Sequence, residues 1–261
     1  MVEQRDTGGG NQERSSYVSS MRLLQQRGFE IATVIDVGAA EGAFFVVRAE
    51  YGLFPGARHF FVDAMQENEE GYRKLAGKFG AGYEIAALSC IEGEVAMRID
   101  PNYYNTHVDH LQPGSAYAAT RRVAMRTLDS VVEQHALRPP FAVKLDVQGG
   151  ELDVLRGGLR TLDNAVLVTA EIQIFSERDT LVELLAFMQG MGWAVFDITD
   201  LSYYRSDQSL YQCYATFIPK GMDFRKGTPW CLPDQEQAIL EALRARREHC
   251  LRAIEEMTRE R

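Results

Sequence analysis

Between residues 32 and 220 the chain alternates short apolar runs with segments of helical period. ATVIDVGAAEG reads as a buried strand entering a glycine turn, and GAFFVVRAEYG as the helix that follows. ARHFFVDA is a second strand, ENEEGYRKLAGKF a charged helix, GYEIAALSC a third strand and EGEVAMRID a further short strand that opens an inserted hairpin. Then come RTLDSVVEQHAL (helix), FAVKLDVQG (strand), GELDVLRGGLRTL (helix) and NAVLVTAEIQIF (strand). TLVELLAFMQGMG is a helix with Leu181, Leu184, Leu185 and Met188 on one face. WAVFDITDL and LYQCYATFIPKG are two last strands too close together for an intervening helix. Strands alternating with helices predict an α/β fold: a mostly parallel sheet with helices on both faces and one reversed edge strand.

The flanks read differently. Residues 1–14 are polar and carry three consecutive glycines, the composition of a disordered tail. Residues 15–27 suit a short amphipathic helix closed by Gly28. The main domain is read as 15–220, with a loop or hairpin insertion at 91–120 whose stretch 102–120 is expected to be one long loop. Residues 221–261 form an extension, mostly the charged helix 235–259. Leu240, Leu243, Cys250, Ile254 and Met257 fall near heptad spacing there, interrupted by Arg247. The helix is expected to pack on its own domain, with homo-oligomerisation through it as the sharper alternative.

Composition excludes several classes. A chain of 261 residues, 46% hydrophobic and 25% charged, can bury a full core without disulfide or metal staples. A net charge of −9 argues against a nucleic-acid partner held by phosphates. No apolar run is long enough to cross a membrane, and the first residues lack the apolar stretch of a secretory signal. Four scattered cysteines without a C-x-x-C pair suit a reduced, cytoplasmic protein.

In an open parallel sheet, ligands bind beyond the carboxyl ends of the strands where the winding reverses. Four strand ends carry suitable groups. The first is Asp36-Val37-Gly38-Ala39-Ala40-Glu41-Gly42. A nicotinamide fingerprint would need glycine at positions 40 and 43, where alanines stand, and the acid before Gly38 suits a cationic ligand better than a pyrophosphate. Asp63 closes the second strand 25 positions after Gly38, about where such folds place a ribose-binding acid; capping the next helix is its structural alternative. Ala87, Leu88 and Ser89 end the third strand, where small residues flank an adenine or simply finish a strand. Asp146 ends a central strand in VKLDVQGGELDVLRGG, with Lys144 on the same strand face, so a structural Lys–Asp pair stands beside a catalytic role. Glu151 opens the next helix, where its charge suits the helix dipole.

DVGAAEG, the closing Val-Asp of the second strand, RTLDSVV and above all VKLDVQGGELDVLRGG resemble the FkbM family of S-adenosylmethionine-dependent methyltransferases, over about residues 31–200. The resemblance implies a Rossmann-like, seven-stranded methyltransferase fold and O-methylation of hydroxyls on natural products or sugars. It implies that Asp36, Gly38 and Gly42 line the methionine end and that Asp63 takes the ribose; the reading of the strand ends adds Ala39, Glu41, Ala64, Ala87, Leu88, Ser89 and Asp146 as cofactor candidates. Two positions depart from the family pattern: Gln148 stands where glutamate is common, and Asp63-Ala64 where Glu-Pro is common.

Methyl transfer to a hydroxyl is helped by a general base. Asp146 is the first candidate, Glu171 at the neighbouring strand end the second, and His107 and His110 of the inserted loop the third; a solvated loop is the plainer reading of the two histidines. A magnesium ion on Asp146 and Glu171 is compatible with their chemistry, and nothing in the sequence requires it. The partner expected is a small-molecule acceptor, with neither nucleic acid nor membrane. Two rivals are a nicotinamide-dependent oxidoreductase and a non-catalytic binding module on the same fold. Tyr103, Tyr104, Tyr117, Tyr203 and Tyr204 are aromatic candidates for stacking on an acceptor, or for buried packing.

Overall fold

The computed structural model describes residues 16–46, 52–99, 107–108, 119–174, 179–222 and 233–259. The readings made for 1–14, for the helix beyond Val46, and for His110, Tyr103, Tyr104 and Tyr117 lie outside the described residues.

A helix α1 (Tyr17–Gln26) leads into strand β1 (Thr33–Val37) and the short helix α2 (Ala43–Val46). Strand β2 (Arg58–Asp63) is followed by a single 3-10 turn, helix α3 (Glu69–Phe79) and strand β3 (Gly82–Ile85). Four strands come next: β4 (Ala87–Leu88), β5 (Gly93–Ile99), β6 (His107–Val108) and β7 (Ala119–Arg126). Helix α4 (Leu128–Gln134), strand β8 (Phe141–Leu145), helices α5 (Glu151–Arg156) and α6 (Leu159–Leu162), and strand β9 (Ala165–Gln173) continue the chain. Helix α7 (Leu181–Gly190) and strands β10 (Trp193–Tyr203) and β11 (Leu210–Pro219) complete the first compact unit, Met1–Lys220. The second unit, Gly221–Arg261, holds helix α8 (Pro233–Arg259), on which Leu240, Leu243, Leu251 and Ile254 are exposed.

Seven strands form the main sheet in the order β10-β11-β9-β8-β1-β2-β3. The antiparallel pairing sits at one edge: β11 runs opposite to both β10 and β9, one place in from the border. Every residue of β1 and of β8 is buried, as strands covered on both faces require. Alternation then sorts the two faces. Ile35, Val37, Val143, Leu145, Val168, Ala170 and Ile172 point into one apolar core with Leu128, Val154, Leu155 and Leu184 of the covering helices. The opposite face carries a smaller cluster of Phe45, Phe61 and Tyr72 under α2 and α3. Beside that cluster runs a polar row set by strand register: Asp36, Lys144, Thr169, Thr216 and Asp197. Helix α1 packs against its far end, where the Ser20 hydroxyl donates to Asp197 and the Tyr17 N–H to Asp200.

Three elements differ from the sequence reading. GYEIAALSC is not one strand: β3 ends at Ile85, and after Ala86 the chain leaves for a second, four-stranded sheet of order β4-β7-β5-β6. The stretch 102–120 is not one loop, because β6 pairs with β5 and β7 begins at Ala119. The helix expected over GELDVLRGGLRTL breaks at Gly157 and Gly158 into α5 and α6. A Cβ on Gly157 would sit 2.1 Å from the Ser89 carbonyl oxygen, so the chain passes too close for any side chain. Gly157 has an ordinary φ of −79°, so a Gly157→Ala loss is steric. The change is expected to lower stability by about 1–3 kcal/mol, read as a shifted denaturation midpoint without a change in slope.

Candidate active site

The winding reverses between β1 and β8, and the polar groups of both strands gather beyond that crevice. Gly38 leaves β1 with φ +71°, and a Cβ there would lie 1.8 Å from the Asp146 carbonyl oxygen. Only glycine therefore lets the two strand ends approach this closely. The turn after Gly38 closes on itself. Gly38 and Ala39 N–H donate to the Val62 carbonyl, Gly42 N–H to Ala39, and the Tyr72 hydroxyl to Ala40. Ala40 N–H donates to Asp63 Oδ2 at 2.8 Å. With these amides spent internally, the turn is poorly equipped to cradle a pyrophosphate. Glu41 stands exposed on it.

Lys144 is 2% exposed and is the hub of the site. Its Nζ lies 3.0 Å from Asp36 Oδ1 and 3.5 Å from Asp146 Oδ2, and it donates to the Gly38 carbonyl at 3.1 Å. Asp36 is 1% exposed, and its contact with Lys144 is one of charge, with no well-aligned hydrogen bond to either carboxylate oxygen. Burial raises its pKa, and Lys144 opposes the rise. Asp36, expected to line a ligand, is sealed beneath Lys144 as that cation's counter-ion. The Lys–Asp pair read from the strand alternation is present, with Asp36 as a second acid.

Asp63 does not cap α3. Its Oδ1 accepts from Met65 N–H at 2.7 Å and from Asn68 Nδ2 at 3.3 Å, while Oδ2 ties back to Ala40. It clasps the first turn to the second, and its burial raises its pKa against the pull of those donors. A carboxylate has about four lone-pair sites, so hydroxyl protons still have places to go. Ala64 packs beside Met65, Ala87, Met97 and Ile99. Ala87 and Leu88 belong to β4 and are buried, and Ser89 N–H donates to Arg126, so these three residues serve the second sheet rather than the end of β3.

Three donors converge on Asp146. The Tyr214 hydroxyl donates to Oδ2 at 2.6 Å, Gln148 Nε2 to Oδ1 at 3.1 Å, and Lys144 stands behind. The same Gln148 nitrogen donates to Glu171 Oε2 at 3.0 Å. Burial first, then the charges of Asp146 and Glu151, push Glu171 up to about 9, so it holds a proton at neutral pH. Glu151 accepts from Val147 and Gly149 N–H at 2.9 and 3.2 Å, which staples the loop after β8, and burial pushes it up to about 7. Tyr214 was missed by sequence reasoning. It reaches Asp146 because β11 sets it opposite Glu171, and the Tyr17 ring stands 6.5 Å from its own. The polar–apolar alternation in LYQCYATFIP was its only sequence signal.

His107 is placed in β6 on the outer edge of the second sheet, opposite Arg98, and not in an irregular loop. Tyr204 pairs its ring with Tyr211 at 4.9 Å, and Tyr203 is exposed on β10. Among the described residues no group of three or more His, Cys, Asp or Glu is arranged to hold a metal ion. Among them, too, no helix is long and apolar enough to cross a membrane. Toward the crevice stand the carboxyl groups of Asp63 and Asp146, beside a protonated Glu171 and a lysine that is already paired. That arrangement suits a ligand that brings hydroxyl protons and positive charge.

The sequence matches the model of the methyltransferase FkbM domain over residues 36–194, and the chain belongs to that family. The match begins at Asp36 and takes in Asp63, Asp146 and Glu171. Among solved structures the chain is similar to the methyltransferase FkbM from Methylobacillus flagellatus KT, at 14% identity and a TM-score of 0.44. That alignment covers 75% of this chain and 47% of the other, so the chain spans about half the length of that protein. It is also similar to precorrin-6y C5,15-methyltransferase from Geobacter metallireducens GS-15, at 12% identity, 80% and 93% coverage and a TM-score of 0.41. TrmK of M. capricolum, in complex with S-adenosyl-homocysteine, aligns at 8% identity, 78% and 67% coverage and a TM-score of 0.42. No curated protein sequence matches the chain. Membership of the family rests on the sequence match alone.

Proposed function

We propose that this protein is an S-adenosylmethionine-dependent methyltransferase acting on a hydroxyl group of a small molecule. One observation carries the reading: at the β1–β8 crevice the amides of Gly38, Ala39, Ala40 and Gly42 are spent internally while carboxyl groups gather around a buried lysine. Such a site favours a cationic nucleoside over a pyrophosphate, which supports methyl transfer against nicotinamide chemistry. S-adenosylmethionine, when bound, supplies a methyl group activated on a sulfonium centre. Asp63 would hold its hydroxyl-bearing ribose, and the turn from Gly38 to Gly42 its methionine end. Asp146, fixed by Tyr214 and Gln148, is the acceptor-side group and takes the hydrogen of the hydroxyl. Glu171 keeps its own proton at neutral pH, which leaves Asp146 the stronger candidate for the base.

Calorimetry tests the cofactor half. S-adenosylhomocysteine is expected to bind in the micromolar range, about −8 kcal/mol, and NADH is expected to give no heat. Binding of NADH but not S-adenosylhomocysteine would reverse the assignment. The acceptor half is tested by incubating the protein with S-adenosylmethionine and a panel of hydroxylated small molecules and amines, and following S-adenosylhomocysteine formation. Turnover confined to amines would overturn O-methylation.

A further inference from the structure

We infer that Gln148 is a positioning residue whose side-chain NH2 group cross-links Asp146 and Glu171 and holds the two acids side by side. An amide nitrogen carries two hydrogens, and Gln148 Nε2 has two acceptors: Asp146 Oδ1 at 3.1 Å and Glu171 Oε2 at 3.0 Å. Gln173 Nε2 approaches Gln148 Oε1 at 3.5 Å from the other side. The backbone is shaped for this task. Gln148 has φ +55°, a region that a non-glycine residue enters at a cost of about 1–3 kcal/mol. The N–H groups on either side of it, Val147 and Gly149, both donate to Glu151 Oε1, so the strained residue is pinned from both flanks.

The charges facing the pair explain why a neutral donor is wanted. Lys144 comes from β8, Asp36 from β1, Glu151 from α5, and Tyr214 and Cys213 from β11. Lys144 already serves Asp36 and Asp146. A carboxylate at position 148 would add a third acid to Asp146 and Glu171 and bring no hydrogen. The glutamine supplies two hydrogens and no charge. It thereby leaves Asp146 tied at Oδ1 by Gln148 and at Oδ2 by Tyr214, in one orientation.

This inference rests on the reading of Asp146 as the acceptor-side group, and its test needs no acceptor. The full chain is unfolded in urea at about pH 5 and about pH 8 as wild type, as Gln148→Glu, and as the exchange Gln148→Glu with Glu171→Gln. The introduced carboxyl has a folded pKa raised above its unfolded value. Its stability contribution is full at low pH and lost as pH rises. The unfolding constant of Gln148→Glu, relative to wild type, is therefore expected to rise at least about 10-fold from the lower to the higher pH. The exchange variant, which moves the amide to the opposite partner, is expected to return the pH dependence to within about 3-fold of wild type. If Gln148→Glu folds only at the lower pH, that is the same result in stronger form, and the exchange variant still reads the cross-link. A wild-type pH dependence in Gln148→Glu, or no recovery on exchange, overturns the inference. Absence of S-adenosylhomocysteine binding to the wild type would remove the proposed function and leave the cross-link standing.

Discussion

Replacing Lys144 by methionine is expected to destabilise the fold by about 3–5 kcal/mol at neutral pH, the cost of breaking a buried ion pair from one side. The two side chains are similar in length, so little cavity is created and the loss is chiefly electrostatic. Asp36 is left buried with no cation at 3.0 Å, and Asp146 loses one of its three donors. Asp36 already has a pKa raised by burial, with Lys144 as the main opposing influence. Without the lysine it rises further, and the folded state binds a proton that the unfolded chain releases. The deficit relative to wild type is therefore expected to be large at about pH 7. It should shrink as the pH falls toward the ordinary carboxylate range, about pH 4, where the unfolded chain also holds the proton. Urea denaturation at both values reads this directly. A deficit of equal size at the two would mean that lysine packing, and not its charge, holds the strands together.

The same lysine shows how much of the molecule was legible beforehand. FAVKLD alternates so that Phe141, Val143 and Leu145 face one way and Lys144 and Asp146 the other, and the structure keeps that division. The strand–helix rhythm led correctly to a mostly parallel sheet, because in such folds each helix returns the chain to a neighbouring strand, and the resemblance to the family implied its seven strands. What failed was local. RRVAM in β7 has strand alternation, yet the sequence reading gives it no element; its Arg121 pairs with Glu67 of the 3-10 turn and Arg122 with Glu94 of β5. GYEIAALS has no break signal at Ala86, and only the competing pairing of β4 with β7 ends β3 there. The paired glycines at 157 and 158 read as part of one helix, GELDVLRGGLRTL. They answer instead to contacts with Ser89 and Leu128, residues far away in sequence.

At the site, strand ends were predictable and their partners were not. Asp146 and Glu171 are adjacent because β8 and β9 pair in parallel, which the rhythm implied. Tyr214 depends on the register between β11 and β9, a pairing fixed by the whole edge of the sheet. Asp36 was read as a ligand group, since an acid before a glycine turn has that appearance; its burial follows from Lys144 in register beside it. Side-chain pairing across strands is a long-range property, and no local pattern carries it.

The largest effect on activity is expected from Asp146→Asn, and a comparison with Glu171→Gln makes it diagnostic. An amide at position 146 keeps the size of the side chain and removes its basicity. It also turns an NH2 group toward at least one of the donors from Tyr214, Gln148 and Lys144 that converge there. If Asp146 takes the acceptor's proton, kcat should fall by about 10²–10⁴-fold, the usual worth of a general base. The affinity for S-adenosylhomocysteine, measured separately by calorimetry, should stay within about 3-fold, since that ligand makes no demand on the base. Glu171 is different: pushed up to about 9, it is already uncharged at neutral pH, and glutamine imitates that form. Glu171→Gln should therefore lose less than about 10-fold, a small part of the range a true base commands. Equal and severe losses in both variants would place the base at Glu171 or in the pair as a unit. Near-normal turnover in Asp146→Asn, on an acceptor that the wild type methylates, would take Asp146 out of the chemistry and leave it as the anchor that keeps Lys144 and Tyr214 in place.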